Sequence, residues 1–166
     1  MEKIILGTGN YYNVKKGNTV SITGDGGNAW GYYGNAYKKL APRLVTYIPY
    51  KERYDELKII GDIEEYKKLR RQMEDEYILS YYETRLKGLD IRKLLLELEG
   101  RFGKDIILLC HEDIEEFCHR RILADYIELE TGIYIPEVSI DENNKVKKLN
   151  PIRYKNRLKR IIEKSE

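Results

Sequence analysis

Both cysteines and both histidines of the chain fall within ten residues, Cys110-His111-Glu112-Asp113-Ile114-Glu115-Glu116-Phe117-Cys118-His119, and Arg120-Arg121 follow directly. Three chemistries use these residue types. Zinc takes cysteine and histidine ligands, but structural sites close four around a tetrahedron, with about two to four residues between paired ligands. Cys110-His111 and Cys118-His119 are adjacent pairs instead. Neighbouring side chains point to opposite faces of a strand and diverge by about 100° on a helix. No metal and no cofactor are therefore expected. A thiolate nucleophile is the second chemistry: Cys118, read as lying in the second turn of a helix, has His119, Arg120 and Arg121 beside it to favour the thiolate. On that helix Cys118 also shares the face of Ile122, Tyr126 and Leu129, so a small buried core residue is the competing reading. Anion binding is the third. A helix N-terminus attracts anions, and Arg120 offers a fork matched to phosphate or carboxylate. Glu112, on the loop before the helix, is the candidate general base, with a solvated loop carboxylate as its alternative.

The elements that must position this cluster follow from the apolar patterning. Lys3-Ile4-Ile5-Leu6, Thr19-Val20-Ser21-Ile22-Thr23, Leu44-Val45-Thr46-Tyr47-Ile48 and Ile106-Ile107-Leu108-Leu109-Cys110 read as strands, the last buried on both faces. Ile133-Tyr134-Ile135 and Val138-Ser139-Ile140 add an edge strand. Asp62 with Glu65 opens a long helix that stops near Gly88, and Asp90 opens another that ends at Gly100. The string Asp62-Ile63-Glu64-Glu65 recurs as Asp113-Ile114-Glu115-Glu116, which predicts a further helix start, running to Thr131 and stopped by Gly132. Asn150-Pro151 opens a last helix with Tyr154, Leu158, Ile161 and Ile162 on one face. Strands alternating with helices predict a Rossmann-like α/β domain with a mostly parallel sheet flanked by helices. Ligands then bind beyond the carboxyl ends of the strands, which directs attention to Gly7–Asn10, Thr23–Gly27 and Cys110–Arg120.

The chain has 166 residues, 42% hydrophobic and 35% charged, and a mean hydropathy of -0.61. That is one soluble domain with a real core. No apolar run approaches the ~20 residues of a membrane span, and Met1–Gly7 turns polar too soon for a signal peptide. Two cysteines make no disulfide framework, so a reducing cytoplasm is expected. Residues 143–166 hold nine Lys or Arg against two Glu, a net +7 that leaves -5 on residues 1–142. The first 35 residues hold eight of 13 glycines, but no third glycine of a dinucleotide fingerprint and no P-loop lysine. Fifteen tyrosines stand against two phenylalanines; a phenol suits a half-wet cleft where bases or sugars stack, or simply fills a core.

The strings Leu108-Leu109-Cys110-His111-Glu112, Phe117-Cys118-His119-Arg120 and Leu123-Ala124-Asp125 resemble the signature of the "domain of unknown function 488" family, in a phage or bacterial-type member. Ser21-Ile22, Trp30, Gly34 and Tyr37-Lys38-Lys39-Leu40-Ala41-Pro42 resemble a second block of that family, so the likeness runs from about Ile4 to Glu137. It implies a Rossmann-like fold and no established reaction. By position it marks Cys110, Glu112, Cys118, His119 and Arg120, with Tyr37 and Lys39 from the other block. The chain departs in having Ile114 and Glu115 where the acidic loop carries a proline, and in adding the long helix after Asp62 and the basic tail.

The candidate set is accordingly Cys118 and Glu112 for catalysis, and Arg120, His119, Cys110, Thr8, Asn10, Thr23, Trp30, Tyr37 and Lys39 for ligand binding. The expected function is binding of a nucleotide or other phosphate-bearing small molecule at the Cys110–Arg120 turn. The alternatives are a nucleotide-processing enzyme using Cys118 or Glu112, a phage sponge for a signalling nucleotide, and a nucleic-acid binder using the basic tail. The tail is read as a helical extension, residues 143–166, docked on residues 1–142 or on a second copy in a homo-oligomer. No membrane partner is expected.

Overall fold

The computed structural model describes residues 3–166. In chain order the elements are β1 (Ile5–Asn10), β2 (Asn18–Ser21), β3 (Asn35–Ala36), α1 (Leu44–Leu57), α2 (Ile63–Tyr81) continuing into a π-helical turn (Tyr82–Leu86), α3 (Ile91–Phe102), β4 (Ile106–Cys110), α4 (His119–Thr131), β5 (Glu137–Ile140), β6 (Val146–Leu149) and α5 (Lys155–Ser165). One sheet runs β3-β2-β4-β1-β5-β6. Every neighbouring pair is parallel except β5 and β6. This is an α/β domain with a mixed, mostly parallel sheet, consistent with a Rossmann-like layered fold. From β1 the chain passes over β4 to reach β2, and from β4 it steps back over β1 to β5, so the order reverses between β1 and β4. In such sheets the crevice at the reversal is the natural ligand site. Asn10 and Cys110, paired in register, are the last residues of those two strands.

The two faces of the sheet are covered differently. Ile106 and Leu108 belong to the large core that holds the buried side chains of α2, α3, α4 and α5. Ile107 and Leu109 face a small cluster of Val14, Val138 and Ile140, with Leu6, Tyr11 and Tyr32 packed against it. That face is roofed by the short connection from β1 to β2, and Gly9 makes the roof feasible. A Cβ at Gly9 would stand 2.5 Å from the Val14 side chain, and one at Gly7 would stand 2.8 Å from the Pro136 carbonyl. The Gly7-Thr8-Gly9 string is thus a close-packing requirement of β1.

The helix caps follow the sequence where local chemistry suffices. Asp62 accepts from the Glu65 amide at 3.0 Å and Asp90 from the Lys93 amide at 3.1 Å. Gly132 closes α4 with φ of 76°. Two boundaries move: α3 runs through Gly100 to Phe102 and closes at Gly103, and α5 opens at Lys155 and not at Asn150-Pro151. Three expected elements also differ. Leu44–Ile48, expected as a strand, forms the first turns of α1: Thr46 is buried and bonds Ser80 of α2 at 2.6 Å, and Tyr50 stacks on Phe117 at 5.3 Å. Packing against α2 here overrides β-branched propensity. Asp113 opens no helix. Its carboxylate accepts from the Ile114 amide at 2.8 Å instead of reaching forward as Asp62 does, so Asp113–Glu116 is one isolated turn and α4 begins at His119. Ile133–Ile135 joins no strand, and the edge is made instead by β6, which lies inside the basic tail.

Beyond β6 the tail returns to the helices. Tyr154 and Leu158 are fully buried. Asp125 of α4, 1% exposed, accepts from the Tyr154 amide and from Arg153, and Arg157 bonds Glu74 at 3.0 Å and Asp75 at 2.7 Å. Leu158→Ala should lower unfolding stability by about 2–5 kcal/mol, the usual range for emptying a buried leucine site. Thermal unfolding of the two full-length proteins checks this; equal melting temperatures would mean that α5 contributes no core.

Candidate functional site

β4 delivers Cys110 to the carboxyl edge of the sheet, and residues 111–117 loop out and return so that Cys118 lies back over it. Cys118 is the N-cap of α4, with extended backbone (φ -151°, ψ 140°) and its sulfur accepting from the Arg120 amide at 3.4 Å. It is therefore not in the second turn of a helix. Cys110, Cys118 and His119 each bring one ligand-type atom within 4.8 Å of the other two. Adjacency of Cys118 and His119 does not separate them, because one residue precedes the helix and the other begins it.

Each member is fixed from outside the cluster. The His119 Nε2 atom sits 2.7 Å from the Ile22 carbonyl. A carbonyl can only accept, so Nε2 carries a proton and donates it to Ile22, which turns Nδ1 inward, 4.0 Å from the Cys118 sulfur. Asn10 donates to the Glu112 carbonyl at 3.3 Å and tethers the loop to the end of β1. The Glu112 carboxylate lies 3.2 Å from the Cys118 sulfur, and its other oxygen 3.3 Å from His111 Nε2. Burial opposes its charge, but His119, His111 and the two thiols outweigh that and hold its pKa below the ordinary carboxylate value. Burial pushes the Cys110 thiol well up, with the neighbouring Cys118 adding to the shift and Arg120 opposing it.

Arg120 is 1% exposed. Its Nε and Nη2 meet both oxygens of Glu137 at 2.7–3.2 Å, while Nη1 donates to the sulfurs of Cys110 at 3.0 Å and Cys118 at 3.3 Å. Burial would weaken its charge, but the sulfurs and Glu137 raise its pKa above the ordinary guanidinium value. The fork expected to face a ligand is thus engaged internally. Thr8, also expected to face a ligand, lies wholly inside: its hydroxyl donates to Glu137 at 2.6 Å and accepts from Arg121 at 2.9 Å.

Glu137 is the residue that sequence reading misses. Its only signal is position, an inward-facing acid opening an otherwise uncharged strand. Aromatic rings close the cluster from the helical side. Phe117 meets Tyr77 at 5.0 Å and Tyr154 at 5.4 Å, and Tyr81 meets His119 at 5.8 Å. At the mouth, Trp30 stacks on His111 with centroids 4.6 Å apart and planes within 10°, and stays 58% exposed. Asp25 holds that turn by accepting from the Gly27 and Ala29 amides; Thr23 donates to Asp25 at 3.0 Å and so supports Trp30 indirectly. Tyr37 and Lys39 are not brought to the cluster. Both bond Glu97 on α3, at 2.8 and 3.4 Å.

The family described as "Domain of unknown function DUF488" matches residues 45–127, half of the chain. The chain belongs to this family. The matched DUF488 segment runs from α1 into α4 and so contains Cys110, Glu112, Cys118, His119 and Arg120, whereas β1, β2 and the Tyr37–Pro42 block lie outside it. No curated protein and no solved structure matches the chain.

Glu137→Gln removes one charge of a pair in which both side chains are 1% exposed. It should cost about 3–5 kcal/mol of unfolding free energy by leaving the Arg120 charge uncompensated. Urea unfolding of the variant measures this, and a stability equal to that of the parent would show the pair to be energetically neutral.

Proposed function

We propose that the β4–α4 turn is a small-molecule site, that its ligand is a nucleotide or another phosphate-bearing molecule, and that Glu112 and Cys118 are the groups that face it. The observation that carries the reading is the exposed two-ring stack of Trp30 and His111 at the rim of the loop holding Glu112 and Cys118. A flat, half-wet aromatic platform takes a base by stacking, whatever the base. The place supports it too, because the rim lies at the reversal of strand order, where α/β domains bind ligands. We read the chain as a phage or bacterial-type member of the family on its Leu-Leu-Cys and Cys-His-Arg strings, working in a reducing compartment where both buried thiols stay free.

A nucleic-acid partner for the basic tail is the second reading, favoured by Lys147 and Lys148 exposed on β6. It is weakened by Arg153, Lys155 and Arg157, whose charges pair with Glu128, Asp125, Glu74 and Asp75 of the same chain.

Trp30 is the only tryptophan, so its emission reads the rim directly. Nucleoside phosphates should change that emission saturably, the matching nucleosides should bind more weakly, and Trp30→Ala, with binding followed by calorimetry because the emission is gone, should weaken binding by about 1–3 kcal/mol, the worth of one stacked base. Emission unmoved across a panel of nucleoside mono-, di- and triphosphates would overturn the reading. Retention on DNA or RNA with a steep salt dependence would point to the tail instead.

A further inference from the structure

We infer that Cys110, Cys118 and His119 form a binding site for a borderline-soft divalent transition-metal ion of the zinc class, with Glu112 over the fourth position. Two sulfurs and one imidazole nitrogen, all within 4.8 Å of one another on residues at most 4% exposed, are a donor set that suits such an ion. The surroundings match what metal ligands need. Ligating histidines almost always donate their second ring N–H to a carbonyl or carboxylate, which fixes the tautomer; His119 does this to Ile22 and turns Nδ1 toward the Cys118 sulfur. The Arg120 amide and Nη1 donate to the Cys118 sulfur, and Nη1 also to Cys110. A thiolate has lone pairs for an ion and for N–H donors at once, so these contacts support ligation and do not compete with it.

An ion bound by two thiolates is neutral as a unit and carries a net -1 once Glu112 joins, beside the Arg120–Glu137 ion pair whose guanidinium donates to both sulfurs. On binding, each thiol gives its proton to solvent, two per ion, and His119 enters as the neutral ring. Three buried protein ligands with a fourth position under a partly exposed carboxylate is the open pattern of catalytic zinc, not the closed pattern of a structural site. A phosphate oxygen displacing Glu112 would reach the ion from the rim. The inference shares the site proposed above but does not need its ligand.

The test uses the full-length chain, stripped with a chelator under reducing conditions and titrated with Co²⁺ alone. One equivalent should produce the near-ultraviolet thiolate charge-transfer band and the intense visible bands of a tetrahedral centre, and one equivalent of Zn²⁺ should discharge them. His119→Gln should weaken metal binding at least roughly tenfold. Absence of the charge-transfer band in the parent protein overturns the inference without any variant having to fold, as would an undiminished band in Cys118→Ser. A nucleotide response at Trp30 without cobalt bands would remove the metal and keep the ligand. Cobalt bands without a nucleotide response would do the reverse.

Discussion

A buried guanidinium must have its charge and its donors met inside the protein, and Arg120 is the side chain on which that constraint falls. Glu137 answers it through both oxygens, Thr8 orients Glu137, and Arg121 reaches from α4 to the same threonine and to the Ile135 carbonyl. One polar network therefore ties the first turn of α4 to β1 and to the start of β5. Apolar packing of the same elements would tolerate small slides of the helix along the sheet. A bidentate ion pair and directional hydrogen bonds do not. A buried ion pair gives little net stability against a well-packed apolar alternative, so its contribution here is positional.

Everything in the site is referenced to that anchor. Nη1 of the held guanidinium lies between the sulfurs of residues from different elements, and the N-cap geometry of Cys118 starts α4 at the point where His119 can reach Ile22 of the segment after β2. The loop between the cysteines has few constraints of its own, and Asn10 supplies one from β1. The aromatic shell completes the enclosure. The many tyrosines are divided between two tasks: Tyr77, Tyr81 and Tyr154 are core walls around the thiols, while Tyr11 and Tyr32 stack on the far face of the sheet. Stacking at the rim falls to Trp30 and His111.

The tail illustrates how charge in a sequence is divided between interior and surface work. Part of its excess is used within the fold, where Arg157 meets the Glu74 and Asp75 of α2 and Arg153 meets the Asp125 and Glu128 of α4. The acidic body and the basic tail are in this sense complementary. Leu158 and Tyr154 show that burial, and not charge alone, seats the helix.

Local signals were legible wherever one turn of chain carries its own reason. The caps at Asp62 and Asp90, the stop at Gly132, the unbroken apolar run of β4 and the alternation that marks an α/β layer all rest on interactions within a few residues. The concentration of cysteine and histidine around one strand end was equally legible. What the sequence could not decide were the matters set by partners far along the chain. Leu44–Ile48 became helix because α2 offers Ser80 and Tyr77 to pack against. Asp113–Glu116, the same four letters as a true helix start, stayed a turn because its carboxylate was drawn to its own neighbour. Thr8 and Arg120 point into the protein because Glu137 stands there, and its separation in sequence hides a contact of 2.7 Å. Cys110, Cys118 and His119 converge because backbone torsions at a helix cap, not the spacing of letters, determine where adjacent side chains point.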